Sequence, residues 1–173
     1  MKNLEIKTCY ADLDLVRQLA RSLDAQDTRT SRDVDTYFQV PRGRLKLRQT
    51  EGSSHGTLIY YDRPDRAESR YSEYYLAPVS DPEATKTLFN AVLGVLVTVT
   101  KTRHLFLYGA TRIHLDRVEG LGGFVELETI IQGQTEEEAR VEHELVKQTL
   151  ELDRCETAVA SYSDLLLEAR KER

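Results

Sequence analysis

The feature that most constrains the fold is a two-residue alternation between charged and apolar side chains in short segments along the chain. In GRLKLR, Arg44, Lys46 and Arg48 alternate with leucines, and in FVELE, Glu126 and Glu128 alternate with valine and leucine. Successive side chains of a β-strand point to opposite faces. Each segment therefore predicts a strand with one charged face and one apolar face.

Three further segments show the same alternation. Their polar faces comprise Asn3, Glu5 and Lys7; Lys101 and Arg103; and Arg112, His114 and Asp116. One interpretation is a half-exposed sheet whose charged faces meet solvent. The other is a barrel whose charges line the lumen while helices cover its apolar outer face. The second explains why the charges are sorted by strand, because solvated faces usually intersperse their signs.

The remaining pattern predicts helices between and after the strands. Asp12 is a candidate N-cap, Ser80 with Glu83 and Thr135 with Glu138 form candidate capping boxes, and YSDLLLEA predicts a last helix. With roughly eight β-like runs and three or four helices, the sequence indicates an α+β fold that is mainly antiparallel β. The 173 residues are expected to form one domain, 1–173.

Composition excludes several classes of partner. The net charge is -5, so no global basic field for nucleic acid is present, and no apolar run approaches the length of a membrane span. The N-terminal residues do not resemble a signal peptide, and the two cysteines, Cys9 and Cys155, have no disulfide or zinc spacing. We therefore expect a cytoplasmic protein, and the sequence leaves open whether it forms a homodimer.

Basic and acidic strands facing one lumen favour a specific ligand chemistry. Lysine and arginine side chains donate charge-assisted hydrogen bonds to phosphate oxygens. Carboxylates beside them would repel the same polyanion unless a hard divalent cation lay between, and Mg²⁺ is typically held by one or two carboxylates plus phosphate oxygens. The pattern therefore predicts a polyphosphate bound together with Mg²⁺ or Mn²⁺.

Several stretches resemble one known family over nearly the whole chain. They include NLEIK at Asn3–Lys7, DTYFQVPRGRLKLR at Asp35–Arg48, and the run at Lys101–Glu128 that contains IHLDRVEGLGGFVELE, the most specific of them. The sequence resembles the CYTH domain, also called the triphosphate tunnel metalloenzymes, and within it the class IV adenylyl cyclase-like proteins. The resemblance implies an eight-stranded closed antiparallel β-barrel with flanking helices that binds a metal-bound triphosphate in its lumen.

The resemblance also implies roles for individual residues. Lys7 and Asp116 match catalytic positions, the aspartate either helping to hold a metal or preparing the nucleophile. Glu5, Glu126 and Glu128 match metal ligands. The triphosphate-binding set is Lys46, Arg48, Lys101 and Arg103, to which we add Arg112 from the same strand face as Asp116.

Two departures from the family pattern bear on activity. Asn3 replaces the first glutamate of the E-x-E-x-K signature, and Asp62 lies where a lysine is often found. Three functions remain open: cyclisation of ATP to cyclic AMP and pyrophosphate, hydrolysis of thiamine triphosphate or inorganic tripolyphosphate, and non-catalytic nucleotide or polyphosphate binding. In each of them the partner is a small-molecule triphosphate.

Overall fold

The structure is a computed structural model that describes residues 2–62 and 69–171, with the backbone alone at Arg70. The sequence also predicts a turn at Pro64–Asp65, which lies outside the described residues. The strands are β1 Lys2–Cys9, β2 Gln26–Phe38, β3 Arg44–Thr50, β4 Gly56–Asp62, β5 Arg70–Val79, β6 Val95–Tyr108, β7 Thr111–Val118 and β8 Gly122–Ile130. The helices are α1 Leu13–Ser22, α2 Pro82–Leu93, α3 Glu136–Thr149 and α4 Tyr162–Lys171, with a short 3₁₀ turn at Leu152–Arg154.

The eight strands close into a barrel in the order β1-β5-β4-β3-β2-β6-β7-β8. Every neighbouring pair in this ring is antiparallel, including β1 with β8, whose pairing closes it. The predicted α+β, mainly antiparallel fold with an eight-stranded closed barrel and flanking helices is confirmed. Within residues 2–62 and 69–171, closure pairs every strand on both sides and so leaves no free sheet edge.

The apolar strand faces point outward and are covered by helices. Ile6 of β1 and Ile113 of β7 pack with Val16 of α1 and Val146 of α3 in the largest core cluster. A second cluster joins the outer face of β2 and β3 to α2. The charged faces therefore line the lumen, and the alternative of a half-exposed sheet with solvated charges is wrong.

The C-terminal helix α4 covers one end of the lumen. Towards this end the inward side chains of β6 change from Lys101 and Arg103 to Val97 and Val99, which are buried. These valines share a core cluster with Tyr162 and Leu166 of α4. The lumen thus has an apolar floor at the α4 end and a charged middle.

Two local predictions need correction. The run DVDTYFQV predicts a strand that begins at Asp33, but β2 begins at Gln26. Its first residues pair with β6 although their mostly exposed polar side chains show no apolar alternation. The N-cap of α2 is Asp81, whose side chain accepts from the Ala84 amide at 2.9 Å, so the capping box predicted at Ser80 is wrong.

The other helix starts agree with the sequence. Asp12 caps α1, and the capping box of Thr135 with Glu138 is present at α3. No helix within the described residues is long and apolar enough to span a membrane.

Candidate active site

A cavity of about 540 Å³ occupies the lumen of the barrel. Nine of the ten predicted site residues line it: Glu5, Lys7, Lys46, Arg48, Lys101, Arg103, Arg112, Glu126 and Glu128. The tenth, Asp116, is fully buried and accepts hydrogen bonds from Lys101 and Arg103. The alternation that assigned these side chains to one face also brings them to one cavity, since each of the strands that carry them turns its charged face to the lumen.

The first basic pair is held by a buried carboxylate. Asp35 accepts from the Lys46 ammonium at 2.7 Å and from Arg48 Nε and Nη2 at 2.7 Å each. Burial acts to raise the pKa of Asp35, but Arg48 and Lys46 outweigh it and hold that pKa well below its usual range. A carboxylate that stays ionised keeps both cations fixed at the cavity wall. We call Asp35, Lys46 and Arg48 the β2–β3 clamp.

The second basic pair repeats this arrangement. Asp116 accepts from Arg103 Nε and Nη2 at 2.6 and 2.5 Å and from the Lys101 ammonium at 3.1 Å. The Tyr162 hydroxyl of α4 donates to the same carboxylate at 3.0 Å. Burial opposes ionisation of Asp116, but Arg103 and Lys101 lower its pKa more strongly. We call Asp116, Lys101 and Arg103 the β6–β7 clamp.

The environment of Lys101 disfavours its charged form, unlike those of Arg48 and Arg103. Its burial, together with repulsion from Arg103, lowers the pKa of its ammonium to about 7, although Asp116 partly offsets both. Near neutral pH its charge therefore depends on what occupies the lumen. An incoming polyanion would favour the protonated form.

The carboxylates of β8 already have cationic or polar partners. Arg103 Nη2 donates to Glu126 at 2.8 Å, and Glu128 accepts from Asn3 at 2.6 Å and from Arg112 at 3.3 Å. Burial acts to raise the pKa of Glu126, but its neighbours hold it well below the usual range.

The predicted metal ligands lie on adjacent strands but do not form a ready-made site. Glu5 is directly opposite Glu128 in the β1–β8 ladder. Across residues 2–62 and 69–171, no three His, Cys, Asp or Glu side chains are placed to hold a metal ion. The donor chemistry nevertheless fits a hard cation. The Glu128 carboxylate contacts Asn3, whose Oδ1 is buried and has no hydrogen-bond partner among the described residues.

Comparison with known proteins agrees with this geometry. A family model described as the CYTH domain matches residues 1–162. The chain belongs to the CYTH domain family. A search of curated proteins found no match.

Solved structures share the fold at low sequence identity. The PH1012 protein of Pyrococcus horikoshii OT3 is 22% identical with a TM-score of 0.82, over 94% of this chain and 98% of that one. A candidate adenylate cyclase of Vibrio parahaemolyticus is 19% identical with a TM-score of 0.75, over 95% and 97%. A Hippeastrum protein, first assigned as an adenylyl cyclase and described as having a dominant triphosphatase activity, is 16% identical with a TM-score of 0.66, over 100% and 97%.

Sequence reasoning missed Asp35 and Tyr162 in this CYTH domain. Asp35 could have been found, because counting back from the turn at Pro41–Gly43 places it opposite Arg48 in a hairpin. The structure has this register. Tyr162 gives no such local signal, since it enters the lumen only through the tertiary placement of α4.

Two predicted lining residues have informative surroundings in the CYTH domain. The Lys7 ammonium lies 4.2 Å from the centroid of the Tyr162 ring, at the α4 end of the lumen. His114 Nδ1 is buried and has no hydrogen-bond partner among the described residues; Glu126 Oε2 is 3.7 Å away. Burial and Arg103 lower the pKa of His114, and Glu126 partly offsets them. A neutral imidazole beside a carboxylate leaves one more polar atom for a ligand to satisfy.

Proposed function

We propose that this CYTH domain binds a triphosphate with Mg²⁺ or Mn²⁺ in the lumen and turns it over. The observation that carries the proposal is the pair of clamps. Each one holds a lysine and an arginine at the cavity wall by a buried carboxylate. Together with Lys7 they direct five basic side chains into one lumen, where lysine and arginine donors suit phosphate oxygens.

The clamp geometry suits phosphate oxygens in particular. Arg48 and Arg103 each use Nε and Nη2 on a carboxylate. The remaining guanidinium donors and the lysine ammonium groups can donate to a ligand, because arginine carries five N–H groups and lysine three. Pre-fixed donors reduce the side-chain entropy lost on binding.

Binding of the anion and of the cation are linked through the same side chains. Arg103 now neutralises Glu126, and Arg112 contacts Glu128. A triphosphate that recruits these arginines would leave the two carboxylates to a cation, with Glu5 and Asn3 Oδ1 as further oxygen donors. A divalent cation bound there supplies charge neutralisation and polarisation of the phosphates.

Cyclisation of ATP is the first candidate reaction. The ribose 3′ oxygen forms a bond to the α-phosphorus while the bond from that phosphorus to the bridging oxygen breaks. Pyrophosphate leaves, and the hydroxyl proton passes to a base. The clamps would stabilise the charge that develops on the departing pyrophosphate. Lys7, deep in the lumen, is proposed to contact a phosphate oxygen, and Asp116 to position Lys101 and Arg103.

Hydrolysis is the second candidate reaction. It is supported by the similarity to the Hippeastrum protein, which is described as having a dominant triphosphatase activity. In this reaction a water oxygen forms a bond to the terminal phosphorus while the bond from that phosphorus to the bridging oxygen breaks. The diphosphate leaves, and a proton of the water passes to a base. The same clamps serve both reactions, which differ in the phosphorus that faces the nucleophile. A non-catalytic binding role is the outcome if ligand binds without turnover.

Product identification tests the proposal. Purified protein is incubated with ATP and, separately, thiamine triphosphate and tripolyphosphate, each with Mg²⁺ or Mn²⁺, and products are identified by mass spectrometry. Cyclic AMP with pyrophosphate indicates cyclisation, and a diphosphate with phosphate indicates hydrolysis. An Arg48→Ala, Arg103→Ala double variant controls for contaminating activity. Turnover equal to that of this variant for all three substrates would contradict the enzymatic part of the proposal.

Two further proposals concern the cellular location of the protein and its type of partner. We propose a cytoplasmic location, where nucleoside triphosphates and Mg²⁺ are abundant. The net charge of -5 supports a small-molecule partner rather than nucleic acid.

A further inference from the structure

One section of the lumen wall differs from the rest. Where β4 and β5 pair, none of the described inward side chains carries a charge, whereas each of the other six strands contributes at least one charged residue to the cavity. The uncharged lining consists of Thr57, Ile59, Tyr61, Ser72, Tyr74 and Leu76. We call this set the β4–β5 wall.

A second uncharged section faces this wall across the lumen. Strand β6 is four positions from β5 in the eight-membered ring, so the two strands lie on opposite sides of the barrel and run in the same direction. Beyond Lys101 and Arg103, away from α4, the inward residues of β6 become Leu105 and Leu107. Tyr74 and Leu76 occupy the corresponding late part of β5. Two leucines thus lie across the lumen from the β4–β5 wall, with Arg29 beside Leu105 in the β2–β6 ladder and Arg112 beside Leu107 in the β6–β7 ladder.

The β4–β5 wall borders the β2–β3 clamp directly. In the β3–β4 ladder Thr57 lies opposite Arg48 and Ile59 opposite Lys46. The Lys46 ammonium is 5.9 Å from the centroid of the Tyr61 ring. A ligand whose phosphates contact this clamp would thus place whatever group is attached to them against Ile59, Tyr74 or Leu76.

Inorganic tripolyphosphate has no apolar group that could pack against the β4–β5 wall. All of its outer atoms are oxygens, and they would leave Leu76 and Leu107 uncovered beside a strongly hydrated anion. An aromatic heterocycle covers apolar side chains and can stack on a tyrosine face. The cavity, at about 540 Å³, lies within the range of about 300–1,000 Å³ typical of sites for small organic ligands.

We propose that the β4–β5 wall binds an aromatic heterocyclic group carried by the triphosphate. The substrate is then an organic triphosphate such as a nucleotide, and inorganic tripolyphosphate is a poorer ligand. This inference rests on the proposed function, because it requires that the phosphates occupy the clamps. It assigns Tyr74 and Leu76 as specificity-determining residues.

Two ligands and three variants test the inference. Calorimetric titrations compare a non-hydrolysable ATP analogue with tripolyphosphate, both with Mg²⁺, in wild type, Tyr74→Ala and Leu76→Ser. Leu88→Ser, on the exposed outer face of α2, is the matched control. We expect Tyr74→Ala to weaken the ATP analogue about five- to tenfold, in line with the loss of one base–aromatic contact, with tripolyphosphate unchanged. Leu76→Ser should also weaken binding of the ATP analogue, and Leu88→Ser should change the affinity for neither ligand.

The outcomes separate this inference from the proposed function. If tripolyphosphate binds at least as tightly as the ATP analogue, or if the wall variants weaken both ligands equally, the organic-group assignment is overturned while triphosphate binding stands. If neither ligand binds to wild type, the proposed function itself fails, and this inference fails with it. Circular dichroism of each variant shows whether it folds; both wall residues are partly exposed, so folding should persist.

Discussion

Asp35 lies directly opposite Arg48 in the β2–β3 ladder, and each of its carboxylate oxygens accepts a hydrogen bond from that guanidinium at 2.7 Å. Arg103 and Asp116 have the same relationship across β6 and β7. In both cases a lysine two residues before the arginine shares the carboxylate. The barrel thus uses one local arrangement twice. In each case a buried carboxylate holds two cations side by side at the lumen wall, where they would otherwise repel each other.

Substitution of the clamp carboxylate tests this holding role. Asp35→Asn leaves Lys46 and Arg48 with one negative charge fewer, and breaking a buried ion pair costs about 3–5 kcal/mol. We expect a lower melting temperature than wild type and a larger rise on addition of tripolyphosphate, since the anion replaces the lost charge. Differential scanning calorimetry with and without the anion measures both. Equal ligand-induced shifts in the two proteins would show that Asp35 does not compensate these cations.

Binding of a triphosphate should be accompanied by proton uptake. The pKa of Lys101 is lowered to about 7 by burial and by Arg103, so at pH 8 its amine is mostly neutral in the ligand-free protein. A bound polyanion raises this pKa, and the complex therefore takes up a fraction of a proton. Affinity should fall as the pH rises from 7 to 9.

Calorimetry in buffers of different ionisation enthalpy measures this uptake at pH 8. Lys101→Arg keeps the charge but does not titrate in this range, and it should abolish the dependence on buffer. If the variant and wild type take up the same number of protons, the uptake belongs to another group.

Stability should fall as the pH is lowered from 6.5 to 4 because of His143 in α3. Burial, with a smaller contribution from Lys147, lowers the pKa of His143 to about 4, below its value of about 6.5 in the unfolded chain. The unfolded chain therefore binds the proton first, and the free energy of unfolding declines through this window by roughly 2–3 kcal/mol. Both ring nitrogens lie within hydrogen-bonding distance of a hydroxyl, Nδ1 of Thr129 and Nε2 of Ser69.

Denaturant titrations at several pH values measure this decline. His143→Gln should flatten the slope between pH 6.5 and 4, whereas His55→Gln, in an exposed loop, should leave it unchanged. Identical slopes in wild type and His143→Gln would contradict the assignment.

Asn3→Glu should tighten the binding of Mn²⁺ in the presence of a non-hydrolysable ATP analogue by roughly one order of magnitude. The substitution adds a charged oxygen ligand beside Glu128, and the affinity of hard cations rises with ligand charge. Without metal the variant should be less stable than wild type, since it replaces the Asn3 donor to Glu128 with a like charge. Asn3→Gln is the neutral control. Weaker or equal Mn²⁺ affinity in Asn3→Glu would place the cation elsewhere.

The alternation in the sequence predicted the strands that carry it and which side chains share a face, but it left open whether that face points inward or outward. This is because a two-residue period is a local property, and closure of the barrel preserves it. The sorting of charges by strand favoured a lined lumen, and the structure places Lys46 and Lys101 in one cavity.

The details that escaped prediction depend on tertiary contacts. Asp116 belongs to the predicted face, yet no pattern shows that it is buried while Arg112 and His114 line the cavity. Likewise, YSDLLLEA predicts a helix but not its position at one end of the barrel, where Tyr162 reaches Asp116. The start of β2 at Gln26 could not be predicted, because its first residues are mostly exposed and polar and show no alternation with apolar residues.

The central claim is that the two clamps bind one triphosphate in the lumen. Isothermal titration of a non-hydrolysable ATP analogue with Mg²⁺, at fixed salt, compares wild type with Arg48→Ala, Arg103→Ala and the surface control Arg154→Ala. Loss of a charged hydrogen bond costs about 1.5–3 kcal/mol, so we predict that each clamp variant weakens binding about tenfold or more and that Arg154→Ala has no effect. Unchanged affinity in both clamp variants, or no binding to wild type at millimolar ligand, would contradict the claim.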